Sequence, residues 1–116
     1  AAHPIPNAHS ILELVKHVTA WQRMALLTLT GGEYVSMTGD ADWPPVQALT
    51  ADAWRAGLAA MTEVNAQLIA AVRAFPPERL DELVPGTEFN FYFLLHGIAQ
   101  HNVYHAGQIA LLKQAR

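Results

Sequence analysis

Apolar residues recur at helical intervals along three stretches of the chain, and no stretch keeps up a two-residue alternation long enough to read as a strand. The first, "SILELVKHVTAWQRMALLTLT", sets Ile11, Leu14, Val18, Trp21 and Ala25 on one stripe. Ser10, followed three places on by Glu13, makes a capping-box pattern at its start, and Gly31-Gly32 stops it. The second begins at Thr50, a predicted N-cap, and runs through "ADAWRAGLAAMTEVNAQLIAAVRAF" to Pro76-Pro77, which cannot continue a helix. Trp54, Leu58, Met61, Leu68 and Val72 form its stripe. The third, "FNFYFLLHGIAQHNVYHAGQIALLKQAR", has Asn90 as a candidate cap. Lys113 and Arg116 stand near its end, where the helix dipole favours cations.

Two connections remain. Residues 31 to 49, "GGEYVSMTGDADWPPVQAL", are long for a structureless link in a compact domain, which marks them as functional or partly mobile. Within them "DWPP" predicts a turn that packs Trp43 against the helices. The other, "PPERLDELVPGTE", has room for one short helical turn. There is no internal repeat and no low-complexity tract, so residues 1–116 read as a single domain. Long helices with one apolar stripe each pack most readily as an antiparallel bundle. A four-helix bundle needs one more helix than the pattern supplies, so either a helix is missing from the chain or a partner subunit covers the open face.

Composition narrows the function classes. At 116 residues the chain can bury a core without staples, and an apolar fraction of 52% excludes disorder. No apolar run approaches the roughly 20 residues that span a bilayer, so no membrane partner is expected. The net charge is −3, and the seven basic residues are scattered rather than clustered, so no nucleic-acid partner is expected either. The absence of cysteine removes disulfides, thiolate metal sites and a Cys nucleophile, and leaves imidazole and oxygen as the available metal ligands. The opening "AAHPIPNAH" lacks the blocks of a secretion signal, which makes a cytoplasmic location the expectation.

The chemistry concentrates in "QHNVYHAGQIALL". His101 and His105 stand one helical turn apart, about 6 Å along the axis, on the same face. They continue the stripe of Leu94, Ile98, Gln108 and Leu112, which should face the core. Asn102 follows His101, so this is not the H-E-x-x-H arrangement of a metalloprotease. On the first helix His17 shares a stripe with Ser10, Leu14, Trp21 and Met24 and also faces inward. Three inward imidazoles cost about 1–3 kcal/mol each if they lack partners, and one divalent ion would satisfy all three. Three neutral imidazoles with an open position would make a reactive centre rather than a closed structural one. From spacing alone, a shared ion and separately satisfied core histidines both stand.

The other polar residues are weaker candidates. His96 lies about 140° round the helix from His101 and should point elsewhere. His3 and His9 fall in the leading segment, His9 as a surface or capping residue. Glu13, one turn before His17, belongs to the capping box or else supports the imidazole. Gln100, Tyr104 and Gln108 are candidates for contacts behind the ligands, for substrate contacts, or for ordinary bundle surface. Gly107 is expected to allow close helix approach. Trp21, Trp43 and Trp54 read as core, with Trp21 also able to wall a pocket beside His17.

"HSILELVKHVTAW" and "LLHGIAQHNVYHAGQIALLK" together resemble the DinB/YfiT-like superfamily of proposed metalloenzymes. The likeness runs from about residue 9 to residue 114. An H-x-x-x-W-like segment is matched by His17 and Trp21. An H-x-x-x-H-x-G-Q-I-like segment is matched by His101, His105, Gly107, Gln108 and Ile109. The resemblance implies an all-α, four-helix up-and-down bundle in which His17, His101 and His105 bind one divalent ion, most often nickel or zinc, with positions open to water or substrate. Relatives include thiol S-transferases that use low-molecular-weight thiols such as bacillithiol, a mycothiol-dependent isomerase, and damage-inducible proteins of unknown activity. They begin with a long helix absent from these residues, which agrees with the count of three and with the lack of an initiator Met. The expectation is a chain that is N-terminally incomplete, and a homodimer, since bundle relatives often pair.

The expected function is therefore divalent-metal binding, with thiol S-transfer to a small electrophilic substrate as the leading activity. Metal-assisted hydrolysis is the other enzymatic possibility, and no catalytic acid or base is assignable. The alternative is a non-catalytic, metal-binding stress-response bundle. A plain helical dimerisation module with buried histidines is the third reading.

Overall fold

The structure, a computed structural model, describes residues 10–46 and 49–114. Helix α1 spans Ile11–Leu29, the single-turn α2 Gly39–Asp42, α3 Ala51–Ala74 and α4 Phe91–Gln114, with a 3-10 turn at Pro77–Arg79. The described residues form no named strand, and the only bridge among them pairs Leu83 with Asn90. No helix among them is long and apolar enough to cross a membrane. The expectations for His3, His9 and Arg116 lie outside the described residues.

Local chemistry sets the ends of the helices as the sequence predicts. The Ser10 hydroxyl accepts from Glu13 N–H at 3.1 Å while the Glu13 carboxylate accepts from Ser10 N–H at 2.9 Å, completing the capping box. Gly31, at φ 99°, adopts the left-handed conformation that ends α1, and Gly32 N–H returns to Leu27 O at 2.7 Å. The Thr50 hydroxyl caps α3 through Ala53 N–H at 3.0 Å, and the Asn90 carboxamide caps α4 through Phe93 N–H at 2.8 Å.

Packing makes α1 the middle helix, with α3 and α4 lying against it on two sides. Helix α4 runs antiparallel to α1: Leu112 packs beside Ile11, Leu14 and Val15, while Phe91, Leu94 and Ile98 pack beside Met24, Ala25 and Leu29. Helix α3 runs parallel to α1, since Gly57 meets Leu12 and, further along, Gln22 reaches Asn65. This explains the length of the connection between them. It must return along the whole of α1, whose 19 residues extend about 28 Å at roughly 1.5 Å per residue. That return path carries α2 across the middle of α1.

The core falls into two apolar clusters, one at each end of the α1–α4 pair. Between Leu14-Val15 and Met24-Ala25 on α1 stands His17; between Ile98 and Leu112 on α4 stand His101 and His105. The histidines thus occupy a polar gap between two cores that hold it from either end.

Two packing expectations are corrected. Trp54 and Val72 fall on the predicted stripe but are 37% and 41% exposed, because α3 packs chiefly on α1 and both residues line open grooves at its margins. Gly107 was expected to permit close helix approach, yet a Cβ built there meets nothing within 4 Å. The close approach occurs instead at Gly57, where a Cβ would come 2.9 Å from Leu12 Cδ1.

Candidate metal centre

His17 and His105 are buried, His101 is half-buried, and all three turn their rings into the α1–α4 seam. The helix period accounts for this: each continues the stripe that buries Leu14 on α1 and Ile98 and Leu112 on α4. His101 Nε2 lies 3.0 Å from His17 Nε2 and 3.1 Å from His105 Nε2, and the three donor atoms all fall within 4.8 Å of one another. Among the described residues these three form the one His/Cys/Asp/Glu group able to hold a metal ion.

The rings are oriented from behind. His17 Nδ1 faces the main-chain oxygen of Asp42 at 2.6 Å and its carboxylate Oδ1 at 3.3 Å. Both are acceptors, so the proton sits on Nδ1 and the lone pair on Nε2. His105 Nδ1 faces Gln108 Oε1, which sets the same tautomer. His101 Nε2 then lies between two nitrogens that present lone pairs, and a neutral imidazole can donate its one proton to only one of them.

Adding a second proton is not the remedy. Burial, followed by the neighbouring His105 and His17, lowers the His101 pKa from 6.5 to about 4, against a smaller upward pull from Asp42. Converging imidazole nitrogens, with the middle ring resisting protonation, are the donor set of a cation centre. The spacings of 3.0 and 3.1 Å also suit imidazole nitrogens that each lie about 2.0–2.1 Å from a shared ion. The residues fit a divalent ion.

Two tryptophans cover the cluster, and an exposed tyrosine borders it. Trp43 stacks on His17 with centroids 3.7 Å apart and planes 5° from parallel. Trp21 lies over His101 at 4.6 Å and donates its indole N–H to Asp42 Oδ1 at 2.7 Å. Tyr104 meets His105 edge-on at 5.0 Å.

The sequence model of the DinB superfamily matches residues 1–109, nearly the whole chain. The chain belongs to the DinB superfamily. No curated protein and no solved structure matches it.

In this DinB chain the three predicted ligands come together. Gln108 stands behind His105 and Tyr104 against its ring, whereas Gln100 is exposed, as is His96, which stacks on Tyr92. Glu13 is engaged in the capping box, and the acceptor behind His17 is Asp42. Asp42 is the residue that reading the sequence misses. Its only trace there is its place just before Trp43, in a connection too long for a simple turn. Trp43 does pack as "DWPP" predicts, against the cluster of Ile11, Leu14, Val15 and Leu112, and it also stacks on the His17 ring.

Proposed function

We propose that this protein binds one divalent ion, nickel or zinc, through His17, His101 and His105, and is a metal-dependent enzyme of thiol S-transferase type. Its substrate is a small electrophile and its cosubstrate a low-molecular-weight thiol. The observation that carries this reading is the convergence of three imidazole Nε2 atoms, with the Nδ1 atoms of His17 and His105 turned away to oxygen acceptors. A divalent ion held there would lower the pKa of a thiol or a water, or polarise an electrophile. Asp42 and Gln108 hold the ligand rings in their donor tautomers, and Trp21 and Trp43 restrict water on two sides. No described carboxylate joins the three imidazoles in the group, which supports an open, reactive centre over a closed structural one.

The protein is further proposed to be cytoplasmic and homodimeric. For pairing, the support is the outer face of α4, where Phe93, Val103, Tyr104 and Leu111 are exposed. Elemental analysis of the purified protein, followed by thiol-conjugation assays with small electrophiles, tests the reading. Near-stoichiometric metal, with turnover that falls with metal content, is expected. Full metal content without thiol transfer or hydrolysis points to the non-catalytic stress-response bundle. Absence of metal, together with indifference to added nickel and zinc, refutes the metal centre.

A further inference from the structure

The crossover between α1 and α3 has to travel back along α1, but nothing in that requirement obliges it to touch a histidine. It nevertheless does so at consecutive residues. The Asp42 main-chain oxygen and carboxylate both face His17 Nδ1, and the Trp43 ring lies flat on the His17 ring. Two further bonds tie this segment to α1: Trp21 Nε1–H donates to Asp42 Oδ1 at 2.7 Å, and Lys16 Nζ donates to Pro45 O at 2.7 Å. The segment is therefore pinned from Asp42 to Pro45, with His17 beneath it.

Resting on the metal reading above, we propose that Asp42 is the positioning residue of the centre, acting on the ion through His17 by two separable devices. The main-chain oxygen accepts the Nδ1–H hydrogen bond and so commits the Nε2 lone pair to the ion. The carboxylate does not itself reach the ion, because it sits on the Nδ1 side of the ring with Nε2 facing away. It accepts the Trp21 indole proton, which holds the carbonyl in register with His17. It also sets a negative charge 3.3 Å from Nδ1, which favours a cation held at Nε2 on the far side of the ring. Trp43 completes the clamp by fixing the plane of the ring.

Because the two devices are separable, the substitutions give graded results. Asp42→Asn keeps an oxygen for the Trp21 donor and loses the charge; Asp42→Ala loses both. Zinc dissociation constants from chelator competition are expected to rise severalfold in D42N and about 10–100-fold in D42A, the range typical of partners behind metal-bound histidines. The second readout needs no metal. Imidazole 15N shifts of the metal-free protein should show His17 as the Nδ1–H tautomer in wild type and D42N, and as a mixture in D42A. A merely structural role would lower the melting temperature without moving the tautomer. Zinc affinity in D42A within twofold of wild type, or an unchanged His17 15N pattern in that variant, overturns the proposal. Failure of the wild type to bind zinc overturns the metal reading instead, and the tautomer measurement still decides the part played by Asp42.

Discussion

Replacing His101 by Ala separates a metal centre from a histidine core, because the two readings give different numbers. Without metal, the substitution removes a half-buried ring stacked on Trp21 at 4.6 Å, a contact type worth about 0.5–1.5 kcal/mol. Some of that is returned, since both nitrogen–nitrogen contacts near 3 Å, only one of which can carry a proton, disappear along with the ring. A net loss of about 1 kcal/mol corresponds to roughly 3–6 °C in a domain of this size. With metal the difference is larger. Ion at 100 to 1,000 times its dissociation constant stabilises the native state by about 2.7–4.1 kcal/mol, or roughly 10–20 °C. His101 is the middle member of the group, so its loss leaves His17 and His105 as two separated donors and removes nearly all of that gain. The assay is thermal unfolding of wild type and H101A, each after chelator treatment and again with excess zinc. Wild type should gain more than 10 °C from zinc and H101A less than 3 °C, with the two metal-free melts within about 6 °C of each other. An equal zinc-induced rise in both proteins would refute the shared centre. So would a large deficit in H101A that is the same with and without zinc.

Three other outcomes follow from the same geometry. Metal-free protein should lose stability as pH falls from 6.5 towards about 4: the unfolded chain takes up a proton at His101 that the folded chain refuses, and urea titrations should show a decline of about 1–2 kcal/mol after allowing for solvent at a half-buried ring. That decline should be smaller in H101A. Leu14→Ala, at a position 1% exposed and one turn before His17, should cost about 2–5 kcal/mol by chemical denaturation, and weaken zinc binding only as far as the fold is lost. Gly107→Ala should raise stability by about 0.5–1 kcal/mol, since a methyl there meets open space in a helix interior, whereas Gly57→Ala should lower it by forcing Leu12 aside. A destabilised Gly107→Ala would show that something covers that face of α4 in solution.

Much of the architecture is a local property and can be read without coordinates. The capping box at Ser10-Glu13, the hydroxyl cap at Thr50, the carboxamide cap at Asn90 and the glycine stop after α1 depend on side chains within a few residues of the groups they satisfy. The inward direction of His17, His101 and His105 is likewise local, because a helix period carries each of them round to the face of its apolar neighbours. What the period leaves open is how deeply a stripe is buried. Trp54 and Val72 keep the spacing of a core face, but α3 packs chiefly on α1 and both residues lie in open grooves at its margins, so they stay exposed. Gly107 reads as a contact glycine through its motif, and Gly57, which carries no motif, is the one that touches a neighbouring helix.

By itself, the sequence determined three long helices, their ends, and three imidazoles on inward faces, because propensity, capping and a 3.6-residue period act over one or two turns. Only the tertiary structure decided that those imidazoles meet. His17 and His101 are 84 positions apart, and their nitrogens come within 3.0 Å only because α4 lies antiparallel against α1 with two apolar clusters setting its register. It also decided what stands behind them. Asp42 reaches His17 across 25 positions because a connection that must return along α1 passes over the middle of that helix, and no local rule of spacing records the path of a crossover.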